Sequence, residues 1–130
     1  MASMAPHRSR AASALIVAAQ VQAALVFAQA LFAGLFLSGA GTWLAWHRFN
    51  GLAVVVLGLV TLVLAGIVRA KGGPTWPVLA AAGIAVALLI QFFSGFAGVV
   101  ALHVPLGVAI FGFAIGLRIN ANSITTPRGA

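Results

Sequence analysis

The sequence predicts an all-α fold, a four-helix transmembrane bundle with both termini cytoplasmic. Three observations predict it. Hydrophobic residues fill 63% of the 130 positions and charged residues 5%, whereas soluble proteins average about a quarter charged; so few polar groups cannot clothe a water-facing surface. Four apolar runs each approach or exceed the ~20 residues that a helix needs to cross a bilayer. Breakers separate them: "SGAG", "KGGPTWP" and "SGFAG".

The first span is expected over 11–38, "AASALIVAAQVQAALVFAQALFAGLFLS". Its basic lead, "MASMAPHRSR", resembles the start of a secretion signal. The apolar run is too long for the usual hydrophobic region of such a signal, so the segment is read as a helix that stays. The other spans are expected over 43–69, 76–94 and 99–120. Runs of this length are too long for barrel strands, which are short and alternate. The expected plan is a basic cytoplasmic tail over 1–10, a transmembrane domain over 11–120 and a second cytoplasmic tail over 121–130.

Basic residues set orientation, because they are retained on the cytoplasmic side. Arg8 and Arg10 precede the first span, Arg69 and Lys71 follow the second, and Arg118 and Arg128 lie at or beyond the end of the fourth. Arg48 stands alone on the other side. Trp43, Trp46 and Trp76 fall where interfacial aromatics belong. His47 and His103 then lie toward the outer face, near the starts of the second and fourth spans.

The chain has no Asp, no Glu and no Cys, and its formal charge is +7. Disulfides, thiolate clusters and thiol nucleophiles are excluded, as are carboxylate cages for Mg or Ca and paired-carboxylate acid/base chemistry. The balancing negative charge must come from anionic lipid, an anionic cofactor or an acidic partner. The basic residues are dispersed at segment ends, which suits orientation in a lipid bilayer and not nucleic-acid binding.

Residues 36–51, "FLSGAGTWLAWHRFNG", align without a gap on residues 92–107, "FFSGFAGVVALHVPLG", at an offset of 56. Phe36/Phe92, Ser38/Ser94, Gly39/Gly95, Ala45/Ala101, His47/His103 and Gly51/Gly107 match. A tandem helical hairpin explains the match, with the copies related by a two-fold along the membrane normal. His47 and His103 then share one depth on the second and fourth helices, which are diagonal neighbours in an up-down bundle. Axes about 8–10 Å apart on the sides of the square leave a diagonal of roughly 12–14 Å, enough for two inward imidazoles and one metal between them. Two His cannot complete a zinc site, which takes three or four protein ligands. They can hold the iron of haem b, because the macrocycle supplies the remaining ligands. Gly51 and Gly107, four residues after each His, would let a haem approach the backbone. Arg48 could pair with a haem propionate or snorkel to lipid phosphate. Pro105 is expected early enough in its helix to cost little and to help aim His103.

Other polar residues have plainer readings. His7 is a solvated tail residue. Gln20, Gln22, Gln29 and Gln91 are amides bonding across helices, and Gly112 and Gly116 are a packing face. A cofactor-free accessory subunit, packed against acidic partners, stays open beside the haem reading, as does a homodimer or larger membrane complex. Proton-coupled transport is disfavoured by the lack of intramembrane carboxylates.

"WHRFNG" at 46–51 and "QFFSGFAGVVALHVPLG" at 91–107 resemble segments of the haem A synthase family, which is built from two four-helix halves with a His pair in each. The resemblance covers one such half. It implies His47 and His103 as axial ligands of a b-type haem. The family's Glu three residues before the first His is Leu44 here, and its extracellular cysteine pair is absent, so haem oxidation is not implied. The chain is also similar to small uncharacterised four-helix proteins of bacteria. Together these imply a multi-pass protein of the bacterial plasma (inner) membrane.

Overall fold

The computed structural model of the protein describes residues 8–125. The expectations for His7 and Arg128 lie outside that range. Four helices follow one another: α1 (Arg10–Leu37), α2 (Trp43–Ala70), α3 (Trp76–Phe96) and α4 (Val100–Asn120), with a short 3-10 turn at Ala121–Ser123. There is no strand among the described residues, and all four helices are long and apolar enough to cross a membrane. Each boundary lies within two residues of the sequence expectation.

Local chemistry explains the ends. Ser9 caps α1, its hydroxyl accepting from the Ala12 N–H at 3.2 Å. The helices α1 and α3 both stop at a glycine with positive φ, Gly39 at 96° and Gly98 at 69°. In each case the glycine N–H bonds back three residues and the next N–H bonds back five, Ala40 to Leu35 O and Val99 to Ser94 O. This left-handed cap satisfies carbonyls that a helix end otherwise leaves bare. Pro105 is the sixth residue of α4. It therefore lies beyond the first turn, and the Ala101 carbonyl loses its usual donor there.

The helices form a square. α1 packs on α2 and α4, and α3 packs on the same two, so α2 and α4 face each other across one diagonal. In lipid there is little hydrophobic drive between helices, and close packing of small side chains replaces it. Ala12, Ala19, Ala65, Ala81, Ala114 and Ala121 are all buried. One core cluster joins Leu15, Val68 and Ile124 at the end of the bundle bearing the termini; a second, around Val26, Val54, Leu88 and Ile110, fills the middle. Residues 121–124 thus belong to the bundle and do not begin a tail: Ala121 and Ile124 are fully buried beneath α1. Gly112 and Gly116 do not form a packing face either. Each has open space beside it, and they line a groove with Trp76, Leu79 and Phe113.

Packing is uneven along the axis. Toward the end that carries the α1–α2 and α3–α4 turns, residues 27–37, 43–53 and 89–109 include one buried residue among the described residues, Ser94. The tight half shows the reverse. A Cβ on Gly58 would sit 2.5 Å from Leu88 Cδ1, whereas one on Gly66 would meet nothing. Gly58→Val is expected to cost about 1–3 kcal/mol by overpacking, and Gly66→Val within about 0.5 kcal/mol of zero. Reversible unfolding in mixed micelles checks both.

Candidate functional site

His47 lies in the second turn of α2, and the inward face of that helix continues through Gly51, Val54, Gly58 and Thr61. His103 lies in the first turn of α4, with Gly107, Ile110, Ala114 and Leu117 below it. Both rows follow the 3.6-residue repeat of a helix, and their deeper members are buried. The two rings meet across the α2–α4 diagonal. Their centroids are 6.1 Å apart and their planes are inclined by 61°.

The neighbouring helices fix each ring. His47 Nδ1 lies 3.1 Å from the backbone oxygen of Gln29 on α1. His103 Nδ1 lies 2.9 Å from the backbone oxygen of Gln91 on α3. A carbonyl only accepts, so each Nδ1 carries the proton and donates. Nε2, on the far side of each ring, is then a lone-pair nitrogen. A hydrogen bond at one ring nitrogen that sets the tautomer and frees the other is the usual support for a metal-binding histidine. The hydroxyl of Ser94 donates to Gln91 O at 3.0 Å and stands 3.4 Å from His103 Nδ1.

Glycines make room for these contacts. A Cβ at Gly95 would lie 2.7 Å from His103 Cε1 and 3.0 Å from its Nδ1, so the bare α3 backbone is what lets the ring reach Gln91. Gly51 and Gly107 were expected to admit a cofactor to the backbone. They instead receive amides: a Cβ at Gly51 would sit 3.0 Å from Gln29 Nε2, and one at Gly107 2.9 Å from Gln91 Nε2. The same two glutamines thus hold a ring by the main chain and cover a glycine by the side chain, one turn deeper.

The two sides are not identical. Asn50 Nδ2 donates to Leu25 O at 2.8 Å and to Gln29 Oε1 at 2.7 Å. The position three after the other histidine is Leu106, and Gln91 Oε1 is buried with no donor among the described residues. Arg48 is exposed at the rim, next to exposed Trp46 and Phe49. Trp43 is half-buried and stacks on Phe32 at 5.6 Å.

Sequence reasoning brought His47 and His103 together but missed Gln29, Gln91, Asn50, Ser94 and Gly95 as their supports. Gln29 precedes its histidine by 18 residues and Gln91 by 12, so the gap-free alignment cannot superpose them. The same alignment pairs Gly39, a turn glycine, with Gly95, a helical one. It pairs exposed Ser38, bonded to Gly34 O, with buried Ser94.

With each Nδ1–H committed to a carbonyl, each ring keeps one nitrogen lone pair free to accept a proton, a hydrogen bond or a metal. No group of three or more His, Cys, Asp or Glu side chains is present among the described residues. The pair therefore stands as two neighbouring imidazoles with no third such side chain grouped with them among the described residues. Selective ¹⁵N labelling of histidine is expected to give His47 and His103 the shifts of the Nδ1–H tautomer, which is not the usual one for a free imidazole. Gly95→Ala should change the His103 signal and leave that of His47 in place.

Comparison of the chain with protein-family models, with curated proteins and with solved structures found no match in any of the three.

Proposed function

We propose that this chain is a small b-type haem protein of a bacterial plasma membrane, with the iron held between Nε2 of His47 and Nε2 of His103 near the outer face. The observation that carries the reading is the ring separation. Metal–nitrogen bonds of about 2 Å on each side, plus roughly 1.1 Å from nitrogen to ring centre, put two axial imidazoles about 6.2 Å apart. The centroids here are 6.1 Å apart. The 61° inclination of the ring planes would not by itself prevent His47 and His103 from holding one metal between them.

Other features support it. The Nδ1–H donations to Gln29 O and Gln91 O orient the rings and make Nε2 more basic. The sparsely packed half of the bundle surrounds the pair, where helices can part around a flat guest without breaking the core below. Arg48, at the rim on the side with no other base, suits a propionate. The Gln29 and Gln91 amides, over Gly51 and Gly107, would lie one turn below such a guest. A haem with both axial positions filled by imidazole passes single electrons and suits electron transfer over oxygen chemistry. Electron transfer or haem handling is the role proposed, and the shared depth of the two histidines favours the tandem-hairpin reading of the second and fourth helices.

The test is the visible spectrum of protein purified from haem-replete cells. A Soret band with sharp reduced α and β bands is expected, and His47→Ala and His103→Ala should each abolish the low-spin form. A colourless protein favours the cofactor-free subunit instead, and a spectrum that survives both substitutions overturns the ligand assignment.

The orientation has its own check. The chain has no native cysteine, so single cysteines report cleanly. Thr42→Cys is expected to react with an impermeant maleimide in intact spheroplasts, and Thr75→Cys only after the membrane is permeabilised.

A further inference from the structure

At the end of the bundle opposite the histidines, two arginines far apart in sequence converge on one residue. Arg8 Nη2 donates to the backbone oxygen of Asn122 at 3.0 Å. Arg118 Nη1 donates to Asn122 Oδ1 at 3.2 Å, and its Nε to Gln20 Oε1 at 2.7 Å. The platform is firm, because Asn122 lies in the turn between Ala121 and Ile124, and both of those are fully buried.

Every acceptor in this arrangement is neutral. Amide and carbonyl oxygens satisfy hydrogen-bond geometry but leave two like charges side by side. The chain holds no Asp or Glu to offset them. Beside them α1 begins, with Arg10 as its first residue and no acidic side chain in its first turn. Each guanidinium has five N–H donors in a planar fork. Arg8 commits one nitrogen to these bonds and Arg118 two, which leaves donors on both forks. Paired forks with spare N–H groups match the oxygens of a phosphate, and Arg is the side chain whose geometry does this best. The site lies where α1 starts and α4 ends, at the level where a spanning helix meets lipid headgroups.

We infer that Arg8 and Arg118, held on Asn122, form a binding site for the phosphate of an anionic glycerophospholipid. The site is independent of the histidine pair, and its ligand is a structural lipid that neutralises the joint between the first and last spans.

The test uses the full chain in neutral detergent, with phosphatidylglycerol, phosphatidylcholine or inorganic phosphate added. Bound lipid is read by native mass spectrometry and stability by thermal melting. Phosphatidylglycerol is expected to bind and raise the melting temperature, with the other two inert. Arg8→Gln and Arg118→Gln should each weaken phosphatidylglycerol binding about tenfold, the worth of one charge-assisted hydrogen bond. Arg69→Gln removes the same charge at the same end of the bundle and should leave binding unchanged. Equal loss in all three variants would reduce the effect to net charge and overturn the site. Equal stabilisation by phosphatidylcholine would overturn the need for an anion, and equal stabilisation by inorganic phosphate would overturn the lipid. Arg118→Lys, which keeps the charge and loses the fork, should bind as weakly as Arg118→Gln; full retention there would also count against the proposal.

Discussion

Two hydrogen bonds organise the hairpin end of this protein: His47 Nδ1–H to Gln29 O and His103 Nδ1–H to Gln91 O. Each crosses from one helix to the next and ties a ring on α2 or α4 to the main chain of α1 or α3. A helical carbonyl has a second lone pair after its own ladder bond, so it can accept a ring N–H without breaking the helix. In a bilayer no water competes for that acceptor. The bond therefore fixes ring position, tautomer and helix spacing together. The nearness of the two rings, the need for glycine at 95 and the seating of the glutamine amides all accompany it.

The rest of the bundle keeps that end at a workable distance. Alanine-rich contacts and the two core clusters pin the four helices over the half that bears the termini. Beyond Val26, Val54, Leu88 and Ile110 the packing thins, and the polar contacts of Asn50, Gln29, Gln91 and Ser94 take over. Interhelical hydrogen bonds in membranes are worth about 0.6–2 kcal/mol each. The hairpin end is therefore held by a few directional contacts where the other end is held by many dispersive ones.

Much of this was legible in the sequence, because helix length and breaker chemistry are local properties. Four apolar runs and three glycine-bearing turns determine the spans to within two residues. The diagonal His pair was legible too, since chain order fixes which helices are opposite once the connections are short. Its supports were not. Gln29 and Gln91 act through backbone oxygens, which every residue possesses, and they sit at unequal distances from their histidines because the first hairpin is longer. Gly51 and Gly107 face amides that come from a neighbouring helix, and no spacing along one helix reveals that. The burial of Ile124 was hidden for a similar reason: only the fold shows that the chain turns back under α1 after its last long helix.

Asn50 has no partner in kind across the axis, where Leu106 stands instead. One glutamine oxygen is quenched and the other, on Gln91, is left bare. The two histidines look alike, but the surroundings of their two glutamines do not match. Next to α2 an amide side chain satisfies the glutamine oxygen, whereas next to α4 the Gln91 oxygen stays buried without a donor among the described residues, so the two hairpins meet the histidines with unequal polarity.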